Sequence, residues 1–189
     1  VGPWLKEFCQ QMQSRKRQIT IGCNMKPVTL DYAMMKDAGF RFILVGIESA
    51  NQETLDRIQK GQRSEDIIPI IKSMSHAGLE PHITWMSGYG WETEEDEQRS
   101  IDMCNFLLRK GYAKTAQVSV YSPPRTLPDP QSPGHQRLPK YFQAYRHPEF
   151  WYRRIKDIRQ WEDVTYLIRG GRLVCEEHWR KFWARQHAN

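Results

Sequence analysis

Twice in this sequence a helix-like stretch runs out in Ala-Gly and is followed at once by an apolar residue, at Ala38-Gly39-Phe40 and at Ala77-Gly78-Leu79. A glycine just past a helix end takes the left-handed backbone that closes the last turn, so the chain is free to start a strand immediately. Residues 41–47 (RFILVGI) form a near-continuous apolar run, the pattern of a strand buried on both faces. Residues 18–25 (QITIGCNM), 82–86 and 116–121 supply three further strand patterns.

Helical patterns separate them. Thr29 is expected to cap a helix to about Ala38, and Asn51 opens a helix ending at Lys60-Gly61. Ser64 is expected to cap the next, with Glu65 and Asp66 in its first turn and an isoleucine-rich face behind them. Thr93 and Asp96 start a long helix running to Lys110, where Gly111 stops it. Parallel neighbours need long crossovers, and such crossovers are right-handed. The fold class is therefore α/β. The regular strand–helix rhythm favours an open, TIM-like partial (β/α) barrel over a doubly wound sheet.

Residues 122–139 hold six prolines, which predicts a linker or loop rather than helix or central strand. Helical spacing returns over residues 141–156 and 175–186, with a strand expected at 164–168. The organisation read from this is a barrel unit over residues 1–124, a Pro-rich linker over 125–140 and a small, mostly helical extension over 141–189. The formal net charge is +6, and residues 125–189 supply all of it with 13 Lys/Arg against 7 Asp/Glu. Rich in aromatics as well, that tail could offer a nucleic-acid surface, although a solvated basic face over an aromatic core is commoner. Its Trp151, Arg153 and Arg154 could close over the barrel mouth or pack against the outside.

Four cysteines, Cys9, Cys23, Cys104 and Cys175, are too scattered for a zinc or iron–sulfur knuckle and read as free thiols of a reducing compartment. No apolar run approaches the length of a bilayer span, so the expectation is a cytoplasmic protein without a membrane span.

In parallel βα folds, functional groups collect at the carboxyl ends of the strands. Those ends carry Cys23, Asn24 and Met25; then Gly46, Glu48 and Ser49; then Ser87, Gly88, Tyr89, Gly90 and Glu92; and finally Tyr121, Ser122 and Pro123. Glu48 emerges as the buried strand ends, where a carboxylate can accept from ribose hydroxyls or an ammonium. It could equally cap the following helix with Ser49. The turn at residues 87–91 lets backbone approach a ligand closely. Met25 and Met86 read as core, and Glu92 as a structural acid at a helix start. A carboxylate pair of Glu48 and Glu92 would suit a barrel hydrolase.

Here a resemblance becomes specific. Residues 39–61, GFRFILVGIESANQETLDRIQKG, resemble the radical S-adenosylmethionine pattern in which a strand ends in G-I-E-S and an N-x-x-x-L…K-G helix follows. Residues 86–93, MSGYGWET, are similar to that superfamily's fifth-strand turn, and the W-E-T form resembles its cobalamin-binding subgroup. The exit Ser122-Pro123-Pro124-Arg125-Thr126 resembles the sixth-strand exit. Gly90 and Arg125 stand where the family often has proline.

The resemblance covers about residues 4–126. It implies strands three to six of a six-stranded barrel, with Glu48 and Ser49 facing S-adenosylmethionine. Gly46 and Tyr89 would join them, Gly88 would line the adenine side, and Asn24 and Ser122 would line the cavity. The CxxxCxxC loop that binds the family's 4Fe–4S cluster is absent from these residues. The expected function is accordingly that of a C-terminal part, inactive alone, whose cluster-binding partner half lies upstream in a longer polypeptide. The joined protein would generate a 5′-deoxyadenosyl radical or support radical methyl transfer. Cobalamin is a further candidate cofactor, with its domain outside this chain, and the substrate could be a small molecule or RNA.

Overall fold

The computed structural model describes residues 3–15, 19–123, 126, 129–158, 161, 163–165, 167–169, 171, 172 and 176. Helix α1 (Pro3–Ser14) leads into β1 (Ile21–Met25), α2 (Tyr32–Asp37), β2 (Phe40–Glu48), α3 (Gln52–Arg57), α4 (Ile67–His76), β3 (Glu80–Ser87), α5 (Glu94–Arg109) and β4 (Thr115–Val120). Helices α6 (Pro133–Tyr141) and α7 (Pro148–Lys156) follow, joined by a 3-10 turn at Gln143–Arg146.

The strands make one sheet in the order β1-β2-β3-β4, parallel throughout, so each crossover steps one place in the same direction. Right-handed crossovers then put the helices on one face and leave the other open. Burial follows that division. Ile43, Val45 and Ile47 of β2 and Ile83 of β3 are fully buried on the helix side, with Trp85 almost so. Their neighbours Phe42, Leu44, His82, Thr84 and Met86 are only partly covered or exposed. Each Ile or Leu taken out of water contributes about 1.5–3 kcal/mol, so the helix-side cluster carries the stability of the fold. The four-stranded parallel α/β sheet matches the fold class expected from the sequence.

Gly39, Gly78 and Gly111 have φ of 98°, 83° and 72°, as the helix-stop reading requires. The capping box of α5 is formed by Thr93 and Asp96. Two helix caps are corrected. Asp31, not Thr29, caps α2, its carboxylate accepting from the Met34 N–H at 2.9 Å. Ser64 makes no side-chain cap; residues 64–66 are a 3-10 turn and α4 begins at Ile67. Its early Pro69 falls in the first turn, where a missing N–H is tolerated.

The Pro-rich run is also not loop throughout, because residues 133–141 are helix. Pro133 sits in the first turn behind the Ser132 cap, and Pro139 falls near the C-terminal end, where its break costs little continuation. The strand expected at 164–168 is corrected too: Val164, Thr165, Leu167 and Ile168 are helical. A short apolar run carries no period that tells the two apart. The helix expected at 175–186 lies almost wholly outside the described residues.

After β4 the chain returns along the helix side. Tyr141, Ala144 and Phe150 join the same buried cluster as the strands. The Tyr145 hydroxyl accepts the Ala116 N–H at 3.2 Å, occupying a backbone donor of the edge strand β4. Trp151 donates its indole N–H to the Tyr145 carbonyl at 2.7 Å, and Arg154 donates to the Ala113 carbonyl at 2.6 Å. Asp157 pairs with Lys114 at 2.5 Å, and Asp163 reaches Arg41 at 3.8 Å. Arg41 and residues 113–114 lie at the amino-terminal ends of β2 and β4. The extension therefore packs at the opposite end from the strand tips that carry Glu48 and Tyr89. Trp151, Arg153 and Arg154 are packed there instead of closing over the mouth. No helix among the described residues is long and apolar enough to cross a membrane.

Candidate functional site

At the carboxyl end of β2 the ladder to β3 slips: Gly46 pairs with Thr84, but Glu48 pairs with Trp85, leaving Ile47 as a bulge. Bulges re-aim side chains near functional sites. Glu48 has φ 71°, a left-handed conformation uncommon outside glycine. Its side chain folds back over Gly46, where an added Cβ would stand 2.7 Å from Glu48 Oε1 and 2.8 Å from Lys60 Nζ. Lys60, from the loop after α3, donates to that Oε1 at 2.7 Å.

Ser49 lies on the other side. Fully buried, its hydroxyl donates to Glu92 Oε1 at 2.7 Å and accepts the Asn51 N–H at 3.0 Å. Ser100 of α5 accepts the Ala50 N–H at 2.8 Å beside it. The Glu48 carboxylate lies over Gly46, on the face that Phe42 and Leu44 share, and Ser49 lies against Ser100 of α5. Asn51 caps α3 by itself, accepting from the Glu53 N–H, and Glu48 takes no part in that cap.

The β3 tip meets the same place. Gly88 has φ 84° and lies against Gly134; a Cβ there would stand 2.8 Å from Gly134 Cα. Tyr89 is buried, its ring 4.9 Å from both Trp91 and Tyr121. Arg57 lies 4.3 Å over the Trp91 ring. Burial foremost, then the nearby Glu48 and Glu92, raises the Tyr89 phenol, so it stays neutral. Burial likewise raises Glu92, against the lowering effect of its hydrogen bonds to Ser49 and Thr54. Beneath the turn, Glu97 is almost fully buried between Ser87 and Arg137.

Asn24 is exposed on the open face, in register with Leu44 one row below Gly46. Ser122 lies just past β4 at the same end, half-buried. The structure thus gathers Gly46, Glu48, Gly88, Tyr89 and Ser122 at one end of the sheet, with Asn24 at its β1 margin. Met25 packs on the core, whereas Met86 faces the open side with His82 and Thr84. Lys60 joins the site without having been singled out for it, while Trp91 and Tyr121, named only within a turn and at a strand end, pack their rings on Tyr89. Only the K-G at the end of the 39–61 pattern hinted at Lys60.

Among the described thiols, Cys9 and Cys104 are fully buried on the helix side, and burial raises both. Among the described residues no group of three His, Cys, Asp or Glu side chains could hold a metal ion. Several cations of the described tail are held internally. Arg153 shares Glu149 with Arg109 and Lys110, and Arg154 neighbours Asp157.

No protein-family model matches the sequence, and no curated protein matches it. Among solved structures, the chain is similar to a radical S-adenosylmethionine methyltransferase, TsrM from Kitasatospora setae, with cobalamin and a [4Fe-4S] cluster bound. The likeness has a TM-score of 0.50 and 19% identity, over 61% of this chain and 22% of that one. A second is the cobalamin-dependent S-adenosylmethionine radical enzyme OxsB with aqua-cobalamin and S-adenosylmethionine bound, at TM-score 0.46 and 18% identity, over 75% of this chain and 20% of that one. The chain spans about a fifth of the length of these proteins, and at such identities the first likeness speaks for the fold alone.

Proposed function

We propose that this chain is the cofactor-side part of a radical S-adenosylmethionine enzyme, its four strands standing as the third to sixth of a six-stranded partial barrel. One observation carries the reading. Ser49 of the G-I-E-S stretch and Glu92 of the G-Y-G-W-E-T stretch, 43 residues apart, meet in a 2.7 Å hydrogen bond at one end of adjacent parallel strands. The two motifs that resemble the superfamily are thus one piece of structure, beside a sheet face that helices leave open.

The residues present fit a nucleoside. Glu48 Oε2 carries no hydrogen bond among the described residues, and its side chain is about one-fifth exposed, which leaves it an acceptor for ribose hydroxyls. Gly46 keeps the floor beneath it low. Gly88 and neutral Tyr89 would line the adenine side, with Trp91 and Tyr121 excluding water behind them. Asn24 and Ser122 stand at the margins. Ser49 and Glu92 would hold the two tips together from behind without touching the ligand.

S-adenosylmethionine, bound also to a 4Fe–4S cluster carried by the amino-terminal part of the parent polypeptide, would supply the 5′-deoxyadenosyl radical for hydrogen abstraction or methyl transfer. Cobalamin would be held by a domain outside this chain, and no residue described here is assigned to it. The test is to reconstitute the full-length parent with iron and sulfide and assay 5′-deoxyadenosine. Product is expected; its absence from protein with an intact cluster rejects the reading.

A further inference from the structure

The Glu48 carboxylate is held by a loop from outside the strand tips. Residues 58–63 carry two left-handed positions, Gln59 at φ 54° and Gly61 at φ 64°. They turn Lys60 and Gln62 back onto the β2 bulge. Gln62 donates its side-chain N–H to the Ile47 carbonyl at 2.8 Å, pinning the bulged residue. Lys60 donates to Glu48 Oε1 at 2.7 Å, and its own carbonyl accepts from Lys26 Nζ at 3.3 Å, tying the loop to the β1 end. A left-handed glutamate persists only when its surroundings over-determine it, and such positions cluster where a side chain must be presented in one orientation.

We propose that Lys60 is a positioning residue for nucleoside recognition: it holds Oε1 of Glu48, leaves Oε2 for the ligand, and sets an ammonium donor beside that acceptor. This rests on the ribose reading of Glu48 given above. A carboxylate and an ammonium 2.7 Å apart present an acceptor and a donor together. Two neighbouring hydroxyls, one donating to Oε2 and the other accepting from Nζ, match that pair, whereas a deoxy sugar matches neither. The ammonium keeps N–H groups to spare after its bond to Glu48. Both side chains are about one-fifth exposed, so they are partly shielded yet reachable from the open face. Gly46 completes the arrangement, because any side chain there would occupy the place of both charged ends.

Calorimetric titration of the whole 189-residue chain with adenosine and with 2′,3′-dideoxyadenosine tests this. The unsubstituted chain is expected to prefer adenosine by about tenfold or more, the scale of a charge-assisted hydrogen bond. Lys60→Met should bring that preference below about threefold, while Lys60→Arg, which keeps a cationic donor, retains most of it. If Lys60→Met does not fold, Lys60→Gln carries the same comparison with the size and polarity preserved. A merely structural lysine would lower the melting temperature and leave the preference intact; that result overturns the role of Lys60 and leaves the ribose reading standing. No preference in the unsubstituted chain overturns the ribose reading itself, and the role of Lys60 with it.

Discussion

Two glycines of this chain are crowded for different reasons, and the difference separates recognition from stability. At Gly46 the atoms in the way of a Cβ are the far ends of Glu48 and Lys60, which can swing aside. At Gly134 they are backbone, the Ser87 carbonyl at 2.9 Å and Gly88 Cα at 3.0 Å. Gly46→Ala should therefore change stability by no more than about 1 kcal/mol, since its backbone is ordinary and alanine restricts the unfolded chain. Its preference for adenosine over the dideoxy nucleoside should nevertheless vanish. Gly134→Ala should cost about 1–3 kcal/mol, the usual range for overpacking, and lower the melting temperature by several degrees. Thermal unfolding with nucleoside titration on both variants checks the pair; equal destabilisation would remove the distinction. Glu92 adds a pH signature at the same scale. Because burial raises its folded pKa, its contribution to stability is fully present below the unfolded carboxylate value and is lost as pH rises through the folded one. Glu92→Gln should flatten that part of the stability profile, and an unchanged profile would mean the carboxylate feels no such burial.

Helix α7 is fastened to α5 by one carboxylate. Glu149 lies among Lys110, Arg109 and Arg153, and the hydrogen bond from Lys110 foremost lowers its pKa to about 2. A depressed carboxylate contributes stability above its unfolded pKa and loses it as pH falls through the folded value, here between about 4.5 and 2. Glu149→Gln should lose stability mainly near neutral pH and match the parent chain at the acid end of that window, as acid titrations followed by circular dichroism would show. Such a docking contact joins residues some 40 apart, and this is the scale at which the sequence fell silent. Helix stops at Gly39, Gly78 and Gly111 and the Thr93–Asp96 box were legible because each is settled within a few residues. The two resembling motifs were legible as strings, but the sequence set Glu48 and Ser49 side by side toward one ligand, whereas Ser49 is fully buried on Glu92 and Ser100. The bulge at Ile47 was not legible, since it depends on pairing with β3. Nor was the return of Lys60, which needs the left-handed Gln59. Helix α6 was hidden because prolines that break helices in their middles are tolerated at their ends.

Over the whole molecule, the two ends of the sheet are held by separate polar systems. Around the strand tips stand Glu48 with Lys60, Ser49 with Glu92 and Ser100, and Glu97 with Arg137. At the amino-terminal end stand Arg41 with Glu80 and Asp163, and Arg154 and Lys114 with Asp157. In parallel βα folds functional groups collect at the carboxyl ends of the strands, so the second system stands at the end opposite the candidate site. Arg154 is the sharpest probe of the second system. Its side chain is about one-tenth exposed, donates to the Ala113 carbonyl and covers the Phe150 ring at 4.9 Å. Arg154→Ala leaves the Ala113 carbonyl without that donor and opens a void over Phe150, while Asp157 keeps Lys114, so a loss of about 1–3 kcal/mol is expected. Nucleoside preference should survive, because β3 lies between this contact and β2, and Glu48 stands at the far end of the sheet. Glu48→Gln should do the reverse: it weakens the tie to Lys60 and abolishes the preference, while stability falls by about 1 kcal/mol or less, the ordinary scale for a partly exposed ion pair. If Arg154→Ala erased the preference at temperatures where the chain remains folded, the two ends would be coupled through the sheet, and the C-terminal extension would belong to the site.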